Sequence, residues 1–115
     1  MCFHYYRVTE TILDIVIEAV TKITDGTNVS AIGVTGQMHG ILYLDENNAP
    51  ASPLFTWQDL RGNEKFEGSL TYAEYLTENT SYKAATGYGL TTHFYNFKNR
   101  LIPKRARKIS TIHDY

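Results

Sequence analysis

Between Thr9 and Thr24 the apolar side chains Ile12, Ile15, Val16, Ala19, Val20 and Ile23 recur at three- and four-residue spacing, which puts one stripe on a helix. Thr9 can cap its start, Glu10 suits the positive end of the helix dipole, and Asp25-Gly26 can end it. Soon after, the pattern changes to Ala31-Ile32-Gly33-Val34, a run with little polarity, and Ser30 to Val34 reads as a short buried strand. A helix, a brief loop and a buried strand belong to an α/β layered fold. Such a strand needs neighbours on both sides, and the residues after it supply only some of them. The chain therefore reads as the middle of a larger sheet.

The expected strand runs into Thr35-Gly36-Gln37-Met38-His39-Gly40, a glycine-bracketed polar segment at a strand's carboxyl end, where ligands usually sit in open α/β sheets. Ile41 to Leu44 reads as a second strand and Asp45-Glu46-Asn47-Asn48 as a turn. Ala49 to Phe55 reads as an extended return arm, kept extended before Pro50 and Pro53, so the whole suggests a hairpin. Helices are expected at Gly62 to Glu67, at Thr71 to Glu78 with Thr71 and Glu74 at capping-box spacing, and at Ser81 to Thr86. Gly87-Tyr88-Gly89 reads as a turn. Thr91 to Asn99 reads as a helix holding Phe94, Phe97 and Leu101 on one side, with Pro103 blocking continuation. Ile109 to Tyr115 is apolar and fits strand or helix.

Several function classes drop out. A length of 115 residues suits one domain, residues 1–115, and a net charge of −1 gives no electrostatic case for nucleic acid or an acidic membrane. The basic run of Lys98, Arg100, Lys104, Arg105, Arg107 and Lys108 reads as a solvated connection, with contact to a phosphate as the alternative. One cysteine, Cys2, allows no internal disulfide and suits a cytoplasmic protein. No signal peptide is apparent, and Asp14, Glu18 and Lys22 interrupt the apolar helix too often for it to span a bilayer. Cys2, His4, His39, His93 and His113 lack zinc-ligand spacing, and there is no Walker-type loop or GxGxxG. No metal site is expected.

Two segments can carry chemistry. Gln37 and His39 both donate and accept hydrogen bonds, which suits neighbouring sugar hydroxyls, and Gly36 and Gly40 let backbone approach a ligand. Thr56-Trp57-Gln58-Asp59 offers an aromatic wall, an amide and a carboxylate. Each has a structural alternative. The first can be a tight loop with a satisfied histidine. In the second, Trp57 can be core, with Asp59 capping the next helix or forming a weak local pair with Arg61.

Val34-Thr35-Gly36-Gln37-Met38-His39-Gly40, followed by a short strand, an acidic turn and Thr56-Trp57-Gln58-Asp59-Leu60-Arg61, resembles the FGGY carbohydrate kinases, nearest to those acting on the ketoses sedoheptulose and xylulose. Gly87-Tyr88-Gly89 and Ile109 through Asp114-Tyr115 extend the likeness. The resemblance implies a partial ribonuclease-H-like (actin-like ATPase) domain, a mixed sheet with helices, lacking its first strands. It implies transfer of the ATP γ-phosphate to a sugar hydroxyl, with Gln37, Met38, His39 and Trp57 lining the sugar pocket. Asp59 would be a polar contact or a pocket-shaping group, and Tyr88 would lie within reach of a sugar hydroxyl. The family opens with an Asp-x-Gly-Thr strand, which Met1 to Val8 does not resemble. Its catalytic aspartate and adenosine-binding domain are expected beyond Tyr115. No catalytic residue is thus assigned here, ATP and Mg²⁺ are expected to bind the whole protein and not this piece, and the piece alone is expected to be inactive. A non-catalytic interaction module is the alternative, associating with a second copy or with the rest of a kinase through an exposed sheet edge.

Overall fold

The structure, a computed structural model, describes Tyr6, Arg7 and residues 9–115. Cys2 and His4, weighed above as ligands, lie outside the described residues. The fold is organised by Ile41-Leu42-Tyr43-Leu44, four consecutive buried side chains. Because strand side chains alternate, Ile41 and Tyr43 face one way, packing with Phe55, Ala51, Ile102 and Ala106. Leu42 and Leu44 face the other way, packing with Leu54, Ile12, Ile112 and Tyr115.

This segment is β2 (Leu42–Leu44), extended at its start by Ile41, and it pairs antiparallel with the final strand, β6 (Lys108–Ser110), with Tyr43 opposite Ile109. A short strand before the first helix, β1 (Tyr6–Arg7), pairs antiparallel with β3 (Leu54–Phe55). Ile41 and Phe55 exchange backbone bonds of 2.9 and 2.8 Å, which joins the two pairs in the order β1–β3–β2–β6. The hairpin expected from the sequence forms: Asp45 Oδ1 accepts from the backbone N–H of Asn47 and of Ala49, each at 2.9 Å, and Asn48 takes φ 63°.

Helix α1 (Thr9–Thr24) forms over the expected residues, and Thr24 Oγ1 donates to the Val20 carbonyl at 2.8 Å in its last turn. The strand expected at Ser30–Val34 does not form; Ile32 is 61 % and Val34 73 % exposed. A doubly buried strand is held by ladder partners, and no described strand lies beside this one. The buried-strand character passes to Ile41–Leu44 instead. The expectation of a mixed sheet is corrected with it, because every pairing among the described residues is antiparallel.

The helix expected at Gly62–Glu67 is also corrected. Arg61–Asn63 make one 3₁₀ turn, and β4 (Lys65–Glu67) follows, paired with β5 (Leu70–Thr71) across Gly68 at φ 59°. Phe66 points inward between the exposed Lys65 and Glu67, a two-residue period that suits a strand. Helix α2 (Tyr72–Asn79) opens on the expected capping box: Glu74 N–H donates to Thr71 Oγ1 at 3.2 Å, and Thr71 N–H donates to Glu74 Oε2 at 2.7 Å. Ser81–Thr86 forms no helix, because hydroxyls at the end of α2 take its backbone donors: Thr77 Oγ1 accepts from Ala84 N–H at 2.9 Å, and Thr80 Oγ1 from Tyr82 N–H at 3.3 Å. Helix α3 (Gly89–Lys98) follows. Phe94 joins Phe66, Tyr72 and Tyr75 in an aromatic cluster. Phe97 and Leu101, expected on the same packed side, are 62 % and 55 % exposed. The basic run after α3 is a connection: Arg105 and Arg107 donate to backbone carbonyls, and Lys108 to Asn48.

Candidate functional site

The turn Gly87-Tyr88-Gly89 is where the two candidate loops meet. Gly87 sits at φ 79° with its α-carbon against the Trp57 carbonyl, where any side chain would collide. A Cβ at Gly89 would press on the Ile41 side chain and lie 3.1 Å from the His39 carbonyl oxygen. Between them, the Tyr88 ring stacks on the His39 imidazole with centroids 4.2 Å apart and planes 11° from parallel. His39 takes φ 70°, a left-handed conformation uncommon for a residue with a side chain and costing about 1–3 kcal/mol. Its stacking and the close backbone at Gly89 hold it there.

Trp57 is 49 % exposed, Tyr88 40 % and Met38 69 %, so these side chains are presented to solvent. The loops open on two hollows. Trp57 and Gln37 line a mostly apolar groove of about 610 Å³ with Val16, Val34, Ile112 and His113. His39 lines a cavity of about 420 Å³ with Gly89, Ser110, Thr111 and Asp114. The structure thus brings His39 and Tyr88 into contact and seats Trp57 behind the same turn, while His39 and Trp57 face different hollows.

Asp59 is 0 % exposed and meets no solvent. Its Oδ1 accepts from Arg61 Nε at 2.8 Å and from Arg61 N–H at 3.0 Å, while Oδ2 is buried without a partner among the described residues. The pair read from sequence as a weak local contact is therefore a buried ion pair, a different energetic object. Arg61 also donates through Nη1 to Asn96 Oδ1 and lies over the Phe55 and Tyr95 rings, at 4.7 and 5.3 Å from their centroids. Asn96 Nδ2 donates to the Tyr43 hydroxyl at 3.2 Å, and that hydroxyl lies 3.0 Å from His93 Nδ1.

These surroundings move several titrations. Burial pushes the Tyr43 hydroxyl up, opposed by the Asn96 hydrogen bond and the Arg61 charge, and burial pushes His93 down. Tyr95 is pushed up to about 12 by burial and by its 2.8 Å hydrogen bond to Glu64. Sequence reasoning missed Arg61, Asn96, Tyr43 and His93 as one network. The available signal was the polar series Thr92 and Asn96 at four-residue spacing in α3, on the side that proves to be buried.

A glycine-bracketed polar loop and a tryptophan turn thus meet at Gly87-Tyr88-Gly89 on an α/β scaffold, and the sequence places that scaffold in a known family. The FGGY family of carbohydrate kinases, N-terminal domain, matches residues 6–115, and the chain belongs to that family. Among its relatives, the sedoheptulokinase of Mus musculus is 36 % identical over 103 residues, covering 76 % of this chain and 21 % of that protein. The xylulose kinase of Lactococcus lactis is 30 % identical over 92 residues, covering 78 % of this chain and 18 % of that protein. A crystal structure described as a xyloylose kinase from Brucella ovis superposes with a TM-score of 0.78 at 21 % identity, over 97 % of this chain and 25 % of that one, a likeness of fold. The chain spans about a fifth of the length of the curated relatives it matches. No helix among the described residues is long and apolar enough to cross a membrane.

Proposed function

We propose that these residues supply the sugar-binding loops of a cytoplasmic, ATP-dependent carbohydrate kinase, within a ribonuclease-H-like domain, and that the acceptor is a ketose such as sedoheptulose or xylulose. The observation that carries this reading is the Gly87-Tyr88-Gly89 clamp, which stacks Tyr88 on His39 and backs onto Trp57. His39, with Met38 beside it in sequence, would meet sugar hydroxyls and carbons from one side of the turn, and Trp57 would offer its exposed ring face from the other, together with Gln37, which lines the same groove. Asp59 takes the pocket-shaping role: paired with Arg61 below the surface, it fixes the turn that carries Trp57.

In the reaction, an acceptor hydroxyl of the sugar forms a new bond to the γ-phosphorus, the bond to ADP breaks, and the hydroxyl proton goes to a base. ATP and Mg²⁺ supply the phosphoryl group and neutralise its charge when bound. No residue of this chain is assigned to them. The contribution of these residues is to bind and orient the acceptor. The 115 residues by themselves are expected to give no turnover, a reading supported by the fifth of the relatives' length that they span.

Titration calorimetry with sedoheptulose and xylulose tests the binding role. His39→Ala and Trp57→Ala should each weaken ketose binding by about 1 kcal/mol or more, roughly fivefold, through a lost hydrogen bond or ring face. Unchanged heats in both variants would return the two residues to a structural role. The second reading, a non-catalytic module, draws on the exposed side chains of α1. Sugar phosphate formed in the presence of ATP and Mg²⁺ would exclude it.

A further inference from the structure

A line of buried polar side chains crosses this molecule, and its direction is forced at one end. Arg61 can only donate hydrogen bonds. It is 2 % exposed and gives Nε–H to Asp59 and Nη1–H to Asn96 Oδ1. The Asn96 amide, 0 % exposed, is thereby oriented with its oxygen toward Arg61 and its NH₂ toward the Tyr43 hydroxyl oxygen, which accepts at 3.2 Å. The single hydroxyl proton of Tyr43 is then free to meet His93 Nδ1, 3.0 Å away. An acceptor at Nδ1 carries no proton, so neutral His93 holds its proton on Nε2.

Each link sits close in sequence to a candidate loop. Arg61 is four residues beyond Trp57, and Tyr43 is four beyond His39. Asn96 and His93 lie on α3, whose first residue, Gly89, abuts the His39 carbonyl. We propose that Asn96 is a positioning residue for the sugar loops: its amide, oriented by Arg61, ties the turn after Trp57 to the strand after His39 and, through Tyr43, fixes the His93 proton on Nε2. The part concerning sugar rests on the function proposed above.

Protonating His93 would make Nδ1 a donor and strip the Tyr43 proton of its acceptor. Burial acts in the same direction, holding His93 below the ordinary histidine value. The charged neighbours around its cavity are Arg107 and Lys108, on the approach to and start of β6. Both are engaged elsewhere, Arg107 with the Lys104 and Ala106 carbonyls and Lys108 with Asn48.

Two substitutions divide the line. Asn96→Asp keeps nearly the same shape and still pairs with Arg61, but a carboxylate only accepts. It takes the Tyr43 proton, and His93 Nδ1 loses its donor. Asn96→Leu releases both ends. With ¹⁵N-labelled protein, ring-nitrogen spectra should find wild-type His93 as the Nε2–H form. In Asn96→Asp its titration midpoint should rise by about one pH unit, the effect of a nearby carboxylate. Emission from the single tryptophan, Trp57, should stay put in Asn96→Asp and shift in Asn96→Leu. A wild-type Nδ1–H form, an unmoved His93 midpoint in Asn96→Asp, or unmoved emission in a folded Asn96→Leu overturns the proposal. If Asn96→Leu does not fold, the Asn96→Asp midpoint decides. Calorimetry with a ketose separates the two readings: no heat from the wild-type protein strikes the sugar assignment, while the nitrogen spectra still judge the link from Asn96 to His93.

Discussion

Residues 9–38 and residues 41–115 obey different rules in the same chain. The second stretch buries Ile41, Leu42, Tyr43, Leu44, Leu54 and Phe55 and closes its polar groups into the Arg61 network. The first keeps its local structure, a 16-residue helix, but leaves Ile15, Ile17 and Ile23 at 61 %, 55 % and 78 % exposed and Ala31–Val34 unpaired among the described strands. The radius of gyration follows, 16.8 Å against about 13 Å for a compact chain of this length. The contrast teaches that helical periodicity and local capping suffice to shape α1, whereas a strand exists only where a partner backbone lies alongside. It also places the candidate loops at the seam: Gln37 and Met38 end the loose stretch, and Trp57 and Tyr88 belong to the packed one.

The largest effect should come from the packed stretch. Arg61→Met keeps much of the side-chain volume but removes the charge, leaving Asp59 buried with no counter-charge and Asn96 Oδ1 without its donor. Breaking one side of a buried pair costs about 3–5 kcal/mol. Urea denaturation should find the variant near or below the limit of stable folding, since a domain this size has only about 5–15 kcal/mol in hand. A loss under 1 kcal/mol would mean that Asp59 is hydrated or protonated in solution, and the sharp boundary between the two stretches would blur.

An intermediate effect tests whether local signals matter inside the packed stretch. Thr71→Ala removes the hydroxyl that accepts from Glu74 N–H but leaves the backbone N–H of residue 71 donating to Glu74, for a cost of about 1 kcal/mol in the same urea titration. No change would mean that tertiary packing of Tyr72 and Ala73 alone holds α2.

The capping box, α1, the Asp45 turn and the clustered loop residues were legible in the sequence because each depends on neighbours a few positions away. The errors share the opposite cause. Ala31–Val34 has strand composition but no partner among the described strands, and Gly62–Glu67 looks helical until Phe66 is seen turning inward between two charges. The role of Asp59 was only half legible, since its spacing to Arg61 suggests a pair but nothing local says that the pair is buried. Contacts between Arg61 and Asn96, 35 residues apart, and between Asn96 and Tyr43, 53 apart, leave no short-range trace. The glycines around Tyr88 signal a turn, and Gly87 lies in one, but Gly89 already opens α3, and the clamp on two distant loops shows only in the folded chain.

The smallest effect should come from α1, and its size decides the comparison. Ile17→Glu and Ile23→Glu place a carboxylate on side chains that are 55 % and 78 % exposed. Exposed substitutions ordinarily stay within about 0.5 kcal/mol. Glutamate also keeps good helix propensity, so neither helix nor core should feel the change. Ile12→Ala is the internal control: Ile12 packs on Leu42, Leu44 and Leu54, and its truncation should cost clearly more than either glutamate. Denaturant midpoints for the three variants at two protein concentrations are the measurement. Should Ile17→Glu cost as much as Ile12→Ala, with a penalty that grows with protein concentration, the outer side of α1 is covered by another copy in solution. The loose stretch would then be an interface, and the division between residues 9–38 and 41–115 would hold for the isolated chain alone.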